Sequence, residues 1–161
     1  MNTRLPLVLL LLCGLGQAQA QGTPQTDLPR EVLSIQNQSI EVQLASTPEQ
    51  RQIGLMYREN MPENQGMLFI YPDDAQRCFW MRNTPLPLTA AFIDKAGVIV
   101  KFADMSPLSE QSHCSGQAVR YVLEMQQGWF KKRGIDTGAQ LSFSRCIEFN
   151  LSLVAKREAG K

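Results

Sequence analysis

"LTAAFIDKAGVIVKFADM", Leu88 to Met105, is the stretch that decides the fold. Two runs rich in β-branched and aromatic residues flank the three-residue loop Lys95 to Gly97, and the glycine permits the tight reversal, so the stretch predicts a β-hairpin. Asp94, at the mouth of the loop, is placed to cap the turn with its carboxylate.

Moving toward the N-terminus, "GMLFIY" (66–71) and "RCFWMR" (77–82) read as two short strands. "PDDAQ" separates them, and its proline and acidic pair suit a turn. "EVLSIQNQSIEVQLA" (31–45) gives two more β-like runs around Gln36 to Gln38. In the second of these, Ile40, Val42 and Leu44 alternate with Glu41, Gln43 and Ala45, as in a half-buried hairpin strand. "STPEQRQIGLMYR" (46–58) differs. Thr47 as N-cap, Pro48 at N1 and Gln50 three residues after the cap make a capping box and predict a short helix. Ile53, Met56 and Tyr57, spaced i, i+3, i+4, are expected to pack inward.

Toward the C-terminus a polar loop, Ser106 to Gly116, leads to apolar "AVRYVLEM" (118–125), a helical turn in "QGWFKKRGI" (127–135) and a strand in "AQLSF" (139–143). Many short strands with one or two short helices predict an all-β sandwich or partly closed barrel.

The first twenty residues have a basic start at Arg4, an apolar run from Leu5 to Leu15 and an Ala18-x-Ala20 end. They read as a secretory signal peptide, too short to span a bilayer. The expected organisation is therefore signal peptide 1–20, flexible leader 21–30, a single β-rich domain 31–145 and a charged tail 146–161, with no membrane insertion after cleavage and a periplasmic or secreted location. The signal holds one of the 16 basic residues and none of the 15 acidic ones, leaving a mature chain with 15 of each. Such a balance argues against nucleic acid as a partner. Of the mature cysteines, Cys78 and Cys114 lie within the predicted core segment and Cys146 follows it. In an oxidising compartment the first two are expected to pair.

In "RCFWMRNTPLPL" (77–88), strand alternation directs Phe79 and Met81 one way and Cys78, Trp80 and Arg82 the other. Large apolar groups on both faces predict a strand covered on both sides. Asn83 and Thr84 follow at the strand end, before Pro85 and Pro87 stop sheet pairing. They either shape the local turn or contribute to a pocket. Glu124, alternating with Val122, reads as a partly buried carboxylate in need of a partner such as Arg58 or Arg82. Two arrangements fit: a buried ion pair joining helix to sheet, or a polar cluster of Arg58, Trp80, Arg82, Asn83, Thr84 and Glu124 that binds a sugar or a peptide end.

Other chemistry finds less footing. His113 is the only histidine and sits in a serine-rich loop, so no catalytic triad is expected, nor a thiol nucleophile with Cys114 oxidised. The spacing shows no zinc ligand set, and no cofactor is expected. Six mature methionines admit Cu(I) handling, with Met61 and Met105 in polar surroundings and the rest as core fillers. A carboxylate-dependent hydrolase of envelope polysaccharide would need Glu124 and a second acid, such as Asp94 or Asp104, facing one pocket. The leading expectation is a non-catalytic domain that binds a small polar ligand or an envelope protein.

"QRQIGLMYR", "GMLF", "FWMRNTPLPL", "AFID" and "YVLEMQQG" occur in the order and approximate spacing of the domain of unknown function 192 family, which the chain resembles from about Ile40 to Phe143. The family pattern falls on Arg51, Gly54, Leu55, Met56 and Arg58, then on Gly66, Met67, Leu68 and Phe69. It continues through Phe79, Trp80, Met81, Asn83, Thr84, Pro87, Leu88 and Asp94 to Val122, Leu123, Glu124 and Gly128. The resemblance implies a compact, jelly-roll-like β domain with no agreed activity, often secreted in bacteria, and a secreted subgroup in which Cys78 and Cys114 are joined. Thr89 departs from it where relatives carry Asp, as does Ala139 where an acidic residue commonly follows the late glycine.

Overall fold

The structure is a computed structural model that describes residues 22–143. The predicted signal peptide, Cys146 and the charged tail lie outside the described residues. Among the described residues seven strands form one sheet: β1 (Arg30–Ile35), β2 (Gln38–Ala45), β3 (Gln65–Phe79), β4 (Leu88–Ile93), β5 (Ile99–Met105), β6 (His113–Gln126) and β7 (Leu141–Ser142). Their order is β5-β4-β6-β3-β2-β1-β7, and two short helices, α1 (Pro48–Ile53) and α2 (Trp129–Lys132), complete the fold.

The Leu88–Met105 hairpin forms as expected, with β4 and β5 antiparallel from Leu88↔Met105 to Ile93↔Ile99. Asp94 Oδ1 accepts from the amides of Ala96 and Val98, each at 2.9 Å, and so holds the turn. Beyond the turn, Ile99 N donates to Ala139 O and Leu141 N to Gly97 O, while Val98 bridges Gln140. These bonds bring the two ends of the sheet together. Of the two expected architectures, the partly closed barrel is the one that forms, as a curled half-barrel.

Curling covers both faces of the central strands β3, β4 and β6, while β1 keeps Val32 on an exposed face. Leu33, Ile35, Ile40, Val42, Leu68, Ile70, Ala91, Ile93, Ile99, Leu123, Met125 and Leu141 come from all seven strands and share one cluster with Trp129 and Phe130 of α2. The alternate residues Met67, Phe69, Leu88, Ala90, Phe92 and Val122 pack in a second cluster beneath Leu55, Met61 and Met81 of the connecting segments.

Three local expectations are corrected. "GMLFIY" and "RCFWMR" are not two strands about a turn: Gln65–Phe79 is one strand, and "PDDAQ" is absorbed as a register shift between Ile70 and Ala75. Arg120 and Arg77 hold that irregularity by pairing with Asp74 at 2.6 Å and Asp73 at 2.7 Å. The capping box on Thr47 and Gln50 is present, but α1 ends at Ile53 because Gly54 turns left-handed at φ 51°. Helical spacing is lost there, so Leu55 is buried while Ile53 is exposed and Met56 and Tyr57 are only partly buried. Met61 and Met105, expected in polar surroundings, are both core residues.

Candidate functional site

β3 ends within the stretch 77–88, and its last residues are paired on one side only, with β6. Cys78 lies directly opposite Cys114 on β6 and is joined to it by a disulfide, with Cα atoms 3.9 Å apart. The Phe79 ring meets Phe69 edge-on at 4.8 Å. Met81 is buried, and its amide donates to Ser109 O at 2.8 Å. Trp80 on the other side is 46% exposed, so the expectation of a strand covered on both faces is not met. Pairing with β6 stops at Phe79↔His113, one residue before Trp80.

The turn that follows is built by its polar residues. Thr84 is buried, its hydroxyl donates to Arg82 O, and its backbone bonds Met81 and Leu108. Asn83 adopts φ 56° and Tyr57 φ 64°. The two residues lock each other: Tyr57 N donates to Asn83 O at 2.7 Å, and Asn83 Nδ2 donates to Tyr57 Oη at 2.8 Å. Two left-handed non-glycine residues cost on the order of 1–3 kcal/mol each and persist only where neighbours over-determine them.

This pair frames a cleft of about 970 Å³ whose walls include Arg51, Gln52 and Tyr57 from the α1 region, Tyr71, Cys78 and Phe79 from β3, and Trp80, Arg82 and Asn83. The Arg82 guanidinium lies 5.4 Å from the Trp80 ring centre and pairs with Glu110 at 3.5 Å. Tyr71 receives Arg77 at 4.0 Å and Arg51 at 4.9 Å from its ring centre. Burial pushes the Tyr71 phenol up, against the downward pull of those two guanidiniums.

The structure thus brings Trp80, Arg82 and Asn83 together and leaves the other three sequence-derived residues apart. Arg58 faces a neighbouring depression of about 550 Å³ with Arg30 and Gln65, and donates to Gln25 O and Gln43 Oε1. Burial, and then Arg30, push its pKa down. Thr84 lies beneath the turn. Glu124 is fully buried in the sheet between Met67 of β3 and Ala90 of β4.

The expected ion pair of Glu124 with Arg58 or Arg82 is not formed: Glu124 is enclosed within the sheet, Arg58 bonds Gln25 O and Gln43 Oε1, and Arg82 is a largely exposed side chain at the cleft. Burial alone raises the Glu124 pKa to about 8. Glu124 lines none of the described clefts, Asp94 caps a turn, and Asp104 accepts from Thr89 Oγ1 at 2.5 Å. The two-acid geometry of a hydrolase is therefore not assembled among the described residues. Nor do the described residues contain a group of three His, Cys, Asp or Glu side chains suited to a metal ion.

Arg51, Tyr57 and Tyr71 entered the cleft without being singled out for it. The available signal was Gly54: a glycine directly after a capped six-residue helix breaks the period and turns Met56 and Tyr57 out of the predicted core.

Fold and cleft together define a small, half-barrel β domain with an aromatic and basic recess at one strand end. The chain belongs to the domain of unknown function 192 family (DUF192, described as an uncharacterised ACR), whose model matches residues 31–143. No curated protein matches it. Among solved structures it is similar to a candidate transcription regulator from Sinorhizobium meliloti 1021, with 34% identity and a TM-score of 0.71 over 74% of this chain and 97% of that one. It also shares its fold with a protein of unknown function from Novosphingobium aromaticivorans DSM 12444, at 24% identity and a TM-score of 0.69 over 80% of this chain and 99% of that one.

Proposed function

We propose that this chain is a secreted or periplasmic binding domain and that the cleft beneath Trp80 receives a small polar ligand. The observation that carries the reading is the frame of the cleft. Two backbone conformations that ordinary side chains avoid, at Tyr57 and Asn83, are held by reciprocal hydrogen bonds beside a half-exposed tryptophan. Asn tolerates such an angle, whereas Tyr holds it only where its neighbours fix it, as the paired bonds to Asn83 do here. The leader sequence and the Cys78–Cys114 disulfide support an oxidising location. The regulator role described for the Sinorhizobium protein does not enter the reading, since the charge balance of the mature chain shows no basic surplus for phosphate contacts.

The two tryptophans make the test direct, because Trp129 is buried and Trp80 is not. The mature domain is screened by thermal shift and by tryptophan emission against neutral sugars, peptidoglycan fragments and short peptides. A ligand of the cleft raises the melting temperature and moves the emission to shorter wavelength. Both responses disappear in Trp80→Ala and Asn83→Ala variants that remain folded by circular dichroism. Binding that survives in both variants places the site elsewhere, and silence across the panel removes the small-ligand reading.

A further inference from the structure

We infer that the cleft selects ligands carrying a carboxylate beside a flat or apolar body. This rests on the binding reading above and adds the ligand class. The walls of the cleft hold two arginines, Arg51 and Arg82, and no aspartate or glutamate, in a mature chain with equal numbers of acidic and basic residues. An anion entering the recess meets the attraction of the Arg82 guanidinium and no carboxylate among the lining residues. The recess is also lined by low-polarity aromatic groups, which strengthen such attraction relative to open water.

The two arginines are prepared differently. Arg51 is oriented: its Nη1 donates to Ser46 O and to Ile70 O, the latter at 2.8 Å, and its guanidinium lies against Tyr71. Arg82 is available. Its contact with Glu110 is long, at 3.5 Å, and both side chains are more than half exposed. Pairs of that kind contribute about 0–1 kcal/mol. A ligand carboxylate in the cleft replaces Glu110 in a charge-assisted contact with Arg82 at little cost. Trp80 next to Arg82 offers the flat face on which the remainder of the ligand rests.

A peptide C-terminus and a sugar acid share this chemistry, and matched pairs distinguish them. Isothermal titration of the mature domain compares N-acetyl-dialanine with its C-terminal amide, and glucuronate with glucose. The acid of at least one pair is expected to bind about tenfold more tightly than its neutral partner, the difference of one charged contact. The peptide pair showing this identifies peptide ends, and the sugar pair identifies sugar acids. The preference should collapse in Arg82→Gln, return in part in Arg82→Lys, and shrink at about 0.5 M salt. If the neutral member binds as well as the acid, or if the preference survives Arg82→Gln, the inference falls while the binding reading stands. If none of the four binds at millimolar concentration, the inference falls, and the wider panel above decides the binding reading.

Discussion

Asn83 and Tyr57 show how much one backbone angle can organise. Asn83→Ala removes the bond to Tyr57 Oη and puts a less tolerant residue at φ 56°, so a loss of about 1–2 kcal/mol is expected in urea unfolding. Asn83→Gly keeps the angle without strain and loses only the side-chain bond, so it should cost less than the alanine. Equal losses would show that the angle itself carries no strain. Glu124 makes the second residue-scale case. The unfolded chain releases this proton near the ordinary value of 4.5, whereas the folded chain holds it to about 8. Between those values the native state binds more protons, so raising the pH favours unfolding. The stability that accompanies the neutral acid is complete near pH 4 and is lost progressively as the pH climbs to about 8. Glu124→Gln should abolish that component, and the variant should gain on the parent by a few kcal/mol between about pH 5 and 8. Parallel stability curves would show that Glu124 ionises normally.

At the scale of elements, β3 carries the site by being longer than its composition suggests. Pro72 and two aspartates would end most strands, but here Arg77 and Arg120 neutralise the acids and pairing with β6 resumes at Ala75↔Val119. A second shift follows between Gln76 and Cys78, after which only Cys78↔Cys114 and Phe79↔His113 remain paired before the turn of Trp80 to Thr84. The disulfide thus holds the last rungs under the rim of the cleft. It closes a separation of 36 residues, for which chain entropy gives a stabilisation of about 3–4 kcal/mol. Reduction, or a Cys78→Ser/Cys114→Ser variant, should lower urea stability by roughly that amount. It should also raise hydrogen exchange at the Met81 and Thr84 amides more than at β4. Uniform exchange changes would show that the bridge acts on the unfolded chain alone.

For the whole molecule, the seam between the β4–β5 turn and β7 turns a sheet into a half-barrel. Gly97 sits at that seam at φ 83°, and a Cβ there would lie 2.9 Å from Leu141 O. Gly97→Ala should therefore destabilise by more than about 1 kcal/mol and release the Ile99 and Leu141 amides to exchange, while the β3–β6 ladder stays protected. Protection retained at Ile99 and Leu141 would mean that the seam tolerates the methyl group. Hairpins β1–β2 and β4–β5, the capped start of α1, the cap on Asp94 and the half-barrel class were legible because each is written in neighbouring residues: alternation, a capping box, a turn glycine. The candidate site was legible only in part. Trp80, Arg82 and Asn83 announced themselves as polar and aromatic residues at a strand end. The partnership of Asn83 with Tyr57, 26 positions away, and the separation of Glu124 from every arginine offered to it depend on which surfaces the curled sheet brings together. The sequence alone determined the hairpins, the capped start of the helix and the kind of fold, since backbone geometry and hydrophobic period act over a few residues. Tertiary structure decided which face of β3 is covered, where the cleft opens and which charges meet in it, because those follow from long-range pairing and desolvation that no local pattern encodes.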